Sequence, residues 1–331
     1  MGCMERWFGR AVKKKDAHGA GICHLCLAGC PGFPFHAIDR EAEWRNTVLT
    51  VCPFKAPSPL SCLPNYGPML YRFDVFHTAH KGILAELAGS ALVVLIDLHL
   101  VGPGDVPAQL KILYNDMASF CKSSKIPLHA DTLTRTLVGF GKDSDFPVGC
   151  WFKGADTRAA CSFLEWRYQQ HLQSSNCPCK EYMTSIYNCI QAANACLRCM
   201  YSHGLWVSPA DAGTILRCGY DTMRHYLDAA SMALSMRKTR FKLTPKLHAF
   251  NHCMDYLLQN PSAKWQLNPC VFSTQQDEDF VGRISALSCA VSVKSVHRQV
   301  MARYSAQVMR HWQTVCDGQA KDRCGLRVCL C

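Results

Sequence analysis

Two short segments far apart in the chain carry side chains that bind metals. Cys23-His-Leu-Cys26 spaces two thiols so that, from a loop, both thiolates face one tetrahedral ion. That is half of a site, and Cys30 and His36 are local candidates for the other half. Downstream, Lys246-Leu-His248-Ala-Phe-Asn-His252 places two histidines one helical turn apart on the same face. With the distant CxxC this pair makes a Cys₂His₂ set suited to zinc. The same residues also read as ordinary loop thiols and helix histidines. A second CxxC, Cys196-Leu-Arg-Cys199, lies within a helical pattern with His203 following. Ile186, Cys189, Ala193, Cys196 and Met200 form one helical stripe, so Cys196 reads as core packing.

Three further groups bear charge. Asp74-Val-Phe-His77 opens a long helical pattern, where Asp74 suits an N-cap and His77 the first turn. Arg237, Lys238, Arg240, Lys242 and Lys246 make a basic run able to grip phosphates, or else a solvated basic face. Asp277-Glu278-Asp279 precedes an amphipathic run; these carboxylates suit Mg²⁺, and equally the positive end of a helix. The sequence has no phosphate-cradling GxxxxGK[ST], no Rossmann glycine fingerprint and no nucleophile elbow.

The elements that must position these residues are predicted to be mostly helices. Phe76, Ile83, Leu87, Ala91, Leu95 and Leu98 recur at helical steps from Asp74 to His99, and Gly102-Pro103-Gly104 stops the pattern. Further helices are predicted over Pro107–Lys122, Asp156–Leu172 and Tyr182–Ser202. Two more start at the Ser208-Pro209 and Thr244-Pro245 caps, the second running to Asn260, and a last one covers Gln276–Trp312. The tail from Asp317 is expected to fray. Ile83–Val101 is apolar enough to be weighed as a membrane span, but Glu86, Asp97 and His99 make a buried helix of a soluble protein the better reading. The 331 residues suffice for a large core, and 49% hydrophobic content excludes wholesale disorder. A formal charge of +11 points to polyanions, nucleic acid first. The 22 cysteines, with no apolar leader at Met1, point to a reducing compartment, nucleus or cytoplasm, rather than secretion.

The order of these motifs resembles the C-terminal half of a CACTA-type (En/Spm-related) DDE transposase. It runs from CxxC at Cys23/Cys26 through FDVFHTAHKGILAELAGSALVVLI and PKLHAFNH to QQDEDFVGRISALSCAVSVKSVHRQVMARYS. In that family a D-x-x-H segment opens a long helix, as Asp74 and His77 do. An HxxxH helix precedes the catalytic glutamate, matching His248 and His252. The glutamate opens an E-x-[FY]-x-G-x-[ILV] stretch, matching Glu278, Phe280, Gly282 and Ile284. The related recombinase that assembles antigen-receptor genes similarly holds zinc with a CxxC and a downstream histidine pair.

The resemblance implies a mainly α chain: a helical insertion domain plus the remnant of an RNase H-like α/β catalytic domain. It divides the chain into a basic lead-in and CxxC region (1–68), the insertion (69–244), the HxxxH helix with the terminal Glu278 helix (245–312) and a disordered tail (313–331). It implies zinc at Cys23, Cys26, His248 and His252, and DNA as partner. The family's reaction, Mg²⁺-dependent DNA strand cleavage and transfer, needs three carboxylates. Only Glu278 has a counterpart; Gly2 and Cys3 stand where the second is expected, and Asp16 sits too close to the CxxC. The expectation is a truncated or decayed relative that binds DNA without cutting it. The rival reading is a Cys-rich, zinc-stabilised helical interaction protein, not an enzyme, that binds RNA or an acidic protein partner.

Overall fold

The computed structural model describes residues 21–50, 59–64, 66, 70–151, 153–259 and 262–321. Gly2, Cys3 and Asp16 lie outside the described residues. The chain is mainly helical and divides into two units, Met1–Phe272 and Ser273–Cys331.

The first unit is built around α1, Leu84–Asp97. Every residue from Leu84 to Ile96 is buried, Glu86 and Ser90 included. A helix apolar on all sides belongs at the centre of a core. It extends a π-helical stretch, Phe76–Ile83, and 94% of the most apolar window of Phe76–Asp97 is buried within the protein. The π stretch was not legible in the periodicity. It bends at Gly82, whose backbone leaves helical geometry where the Lys246 side chain comes close; a Cβ there would lie 2.7 Å from Lys246 Cδ and 2.9 Å from the His77 carbonyl oxygen. Ile83, Leu87, Ala91 and Leu95 are buried as predicted, whereas Leu98 caps the helix end and is half-buried. The stop comes earlier than Gly102: His99 adopts a left-handed φ of 56°, and Leu100 N–H closes back on the Leu95 carbonyl at 2.9 Å.

Around α1 pack α2 (Val106–Ser123), the short α3 (Arg135–Val138), α4 (Gly154–Gln173), α5 (Lys180–Tyr201), α6 (Pro209–Ser235) and α7 (Pro245–Asp255). Hydroxyl and carboxylate caps start several of them: Asp105 accepts from Ala108 N–H at 3.0 Å and Ser208 from Asp211 N–H at 3.2 Å. Thr244 holds the N-cap position before Pro245 but makes no side-chain capping bond. α7 ends at Asp255, and a 3₁₀ turn, Tyr256–Leu258, carries the chain on towards the predicted end at Asn260. Gly219 of α6 lets α7 approach, since a Cβ there would sit 2.2 Å from Met254 Sδ. Among the described residues the strands are β1 (Trp206–Val207) and β2 (Gln266–Leu267), antiparallel with Trp206 opposite Leu267. No strand of an RNase H-like sheet occurs among the described residues.

In the second unit the single helix predicted over Gln276–Trp312 is two, α8 (Gln275–Ser288) and α9 (Val296–Lys321). Ser292 takes an extended conformation (φ −64°, ψ 136°) before a short 3₁₀ turn, which breaks the run. Phe280 and Tyr304 meet edge to face at 5.2 Å between ring centres, tying α8 to α9. α9 continues through Lys321, past the point where fraying was expected.

Candidate metal centre

The CxxC segment is a loop without regular structure, whereas α7 is a helix, so the two histidines come already aligned and the thiols must be brought to them. His248 and His252 lie one turn apart, both buried, at 1% and 2% exposure. Cys23 (1%) and Cys26 (3%) are brought against them across more than 220 positions. Cys26 Sγ lies 3.2 Å from His248 Nε2 and 3.5 Å from His252 Nε2; Cys23 Sγ lies 3.5 Å from His252 Nε2. All four donor atoms fall within 4.8 Å of one another. A tetrahedral ion with bonds of about 2.3 Å to sulfur and 2.0–2.1 Å to nitrogen has S···N edges of about 3.6 Å, so these spacings fit one metal ion such as zinc. Cys30 and His36 are not among the four donors, and His36 is exposed.

Electrostatics agree with the fit. The Cys26 thiol is pushed up to about 11, first by its hydrogen bond with Cys23 and then by burial. Burial holds His248 below the ordinary imidazole range. Without a cation the Cys26 thiol therefore stays protonated and His248 neutral; a divalent ion would displace the thiol proton and take the sulfur as a thiolate ligand. Leu25 N–H also points at Cys23 Sγ, at 3.3 Å.

The surroundings close the site. Trp44, fully buried, meets the His248 ring edge-on at 4.5 Å and the His252 ring at 5.0 Å. Phe73 stacks on His252 at 5.5 Å with planes 20° apart. His24, inside the CxxC, turns away to donate from Nε2 to the Tyr71 carbonyl at 2.8 Å, and burial pushes it down to about 4.

A residue that sequence reasoning missed joins the two halves. Arg45 follows Trp44 in the 3₁₀ turn Glu43–Thr47 and reaches across to α7. Its Nη1 pairs with Asp255 Oδ2 at 2.6 Å, and Nη2 donates to Asn251 Oδ1 at 2.9 Å and to Tyr220 Oη at 3.1 Å. Tyr220 in turn donates to Asp255 Oδ1 at 2.6 Å. The guanidinium also covers the Trp44 ring at 4.6 Å. Asn251 lies between the two histidines and Asp255 just after them on the same helix, so Arg45 fixes the loop to α7 beside the donors. An arginine beside a tryptophan near a CxxC was the available signal, and nothing local gave its partners.

The remaining candidates are placed as follows. Asp74 accepts from Phe76 N–H at 2.8 Å and His77 N–H at 3.3 Å and pairs with the His77 ring, the N-cap arrangement anticipated for it. The basic run does not form one face. Arg240 is buried at 2% exposure, its Nε and Nη2 on the two Asp97 oxygens at 2.9 and 3.1 Å, so it locks the chain after α6 onto the end of α1 instead of meeting phosphates. Lys246 Nζ donates to the Lys81 carbonyl. Arg237 and Lys242 are exposed, and Lys238 is exposed beside Asp97 at 3.2 Å. Glu278 lies exposed in the first turn of α8, in the second unit; among the described residues neither it, Asp277 nor Asp279 belongs to a cluster of donors close enough to share an ion.

Comparison of the chain with protein-family models, with curated proteins and with solved structures returns no match.

Proposed function

We propose that this chain is a transposase-derived DNA-binding protein whose CxxC loop and HxxxH helix are clasped by a structural Zn²⁺ ion. The observation that carries the reading is the meeting of Cys23 and Cys26 with His248 and His252. The resemblance requires that convergence, and no local feature of either segment does. Four protein donors in a buried tetrahedron leave no position for water or substrate, which is the mark of a structural rather than a catalytic ion. On the same reading α8, opening with Glu278, is the remnant of an RNase H-like terminal helix. A lone carboxylate does not clamp the paired ions of a two-metal centre, so this chain binds DNA without cutting it.

The exposed cations Arg237, Lys238 and Lys242 are the proposed phosphate contacts, with Arg240 excluded by its burial. Binding of full-length protein to duplex DNA should weaken steeply with salt. Alanine at all three positions should lower affinity for every sequence alike and reduce the salt slope by about one per lost contact. Metal analysis of the purified protein should find zinc. Glu278→Gln should leave DNA binding intact, with no Mg²⁺-dependent nicking before or after the change. Undetectable DNA binding at low salt would overturn the reading in favour of a zinc-stabilised module for RNA or an acidic protein.

A further inference from the structure

The second CxxC did not resolve into core packing alone. Cys196 is buried at 1% exposure with its thiol towards the Ile215 carbonyl, but Cys199, one helical turn on, faces elsewhere. Its sulfur, the His203 ring and the Asp211 carboxylate bring their donor atoms within 4.8 Å of one another. Cys199 is in the last turn of α5, His203 just beyond that helix, and Asp211 in the first turn of α6.

The hydrogen bonds around His203 define what faces the centre of this trio. His203 Nδ1 lies 2.8 Å from the Cys199 carbonyl oxygen and 3.1 Å from Ser202 Oγ. A carbonyl only accepts, so the proton is on Nδ1. This is the outer bond that orients a metal-ligating imidazole and fixes its tautomer. Nε2 is thereby directed at Asp211 Oδ2, 3.2 Å away. That carboxylate is itself held by the Ser208 hydroxyl at 2.6 Å. Nε2 and the Asp211 oxygen at 3.2 Å are held together either by a proton on Nε2 or by a metal ion that both atoms ligate. The carbonyl end of α5 adds negative potential there, and Asp211 offsets the positive end of α6.

We propose that Cys199 Sγ, His203 Nε2 and Asp211 form a second metal site that takes a borderline divalent transition ion, Zn²⁺ first, with a fourth position open to solvent. Binding releases the Cys199 thiol proton to solvent, forms the metal–thiolate bond and leaves the Nδ1 proton on its carbonyl. His203 and Asp211 side chains are about one-third exposed, at 33% and 35%, so the ion exchanges with solution. This site is independent of the DNA-binding reading.

The test is titration of the full-length, as-purified protein with Co²⁺, followed by the thiolate-to-cobalt charge-transfer band. Saturable binding competed by Zn²⁺ is expected, lost in Cys199→Ser and retained in Cys150→Ser, an exposed cysteine outside both clusters. His203→Gln, at a half-exposed position, should weaken it by more than the 10–100-fold typical of losing an outer partner of a metal ligand. Circular dichroism shows whether each variant folds, and either of the two site variants suffices if the other does not. No band in the unaltered protein would mean that a proton rather than a metal bridges His203 and Asp211, and would overturn the site. A band unchanged in both Cys199→Ser and His203→Gln would overturn it as well.

Discussion

The two clusters of potential metal donors in the first unit draw on thiols and imidazoles at opposite ranges, with a carboxylate, Asp211, in the second. At Cys23, Cys26, His248 and His252 the donors are separated by 222 to 229 positions and buried. At Cys199, His203 and Asp211 they span 12 positions and are half-exposed. Loop-closure entropy grows by about 0.6 kcal/mol per doubling of length, so a metal closing the long loop removes about 2–3 kcal/mol more disorder from the unfolded chain than one closing the short loop. A long-range cluster therefore acts on global stability. A metal at a local cluster would contribute little to whether the chain folds.

The largest expected effect breaks the comparison at its strong end. Stripping metal with a chelator, or Cys26→Ser, should destabilise the first unit by several kcal/mol, read as a fall in the denaturant midpoint. Cys199→Ser should move it by no more than about 1 kcal/mol. Equal effects would mean that range does not distinguish the two sites.

Next is Arg45, which holds the long-range site together without touching it. Arg45→Met leaves Asp255 with the Tyr220 hydroxyl alone and Asn251 Oδ1 without its donor, and should cost about 1–3 kcal/mol, as losing hydrogen bonds to a partly buried charge does. It should also lower metal affinity at the clasp by about 10–100-fold, measured by competition with a chromophoric chelator. Unaltered affinity would confine Arg45 to loop packing.

The last effect concerns Glu86, a carboxyl buried in α1. Burial, outweighing Lys246, Lys242 and bonds from Thr244 and Tyr226, pushes its carboxyl up to about 7 from 4.5. A carboxyl raised on folding contributes fully below pH 4.5, and that contribution is lost as pH rises through about 7, because the folded state then holds a proton the unfolded chain has released. Glu86→Gln should therefore raise stability near neutral and mildly alkaline pH by about 2–3 kcal/mol and flatten the slope across that interval, seen in urea melts at a series of pH values. A slope unchanged by the substitution would place its origin elsewhere.

Much of the helical framework was legible. The Ile83–Leu95 stripe, the Ser208-Pro209 start and the separate CxxC and HxxxH pairs were read from spacing, because helical period and capping chemistry are local properties; joining the two pairs into one set came from the resemblance. Some slips were local, the stop at His99 and the break at Ser292, and others involved a partner distant in sequence. The π stretch before α1 bends at Gly82 where Lys246 lies close, and Arg240 left the basic run because it pairs with Asp97.

By itself, then, the sequence determined which residues can bind metal and on which elements they ride: a loop CxxC, a helical HxxxH, and a core helix apolar on every side. Only the tertiary structure decided which donors come close enough to share an ion. It closed Cys23 and Cys26 onto His248 and His252, and it turned Cys199 away from Cys196 towards His203 and Asp211. The physical reason is that a ligand's identity is set by its side chain and its local orientation by the backbone period. The meeting of ligands depends on packing that offsets the entropy of bringing distant segments together, and that packing belongs to the whole core.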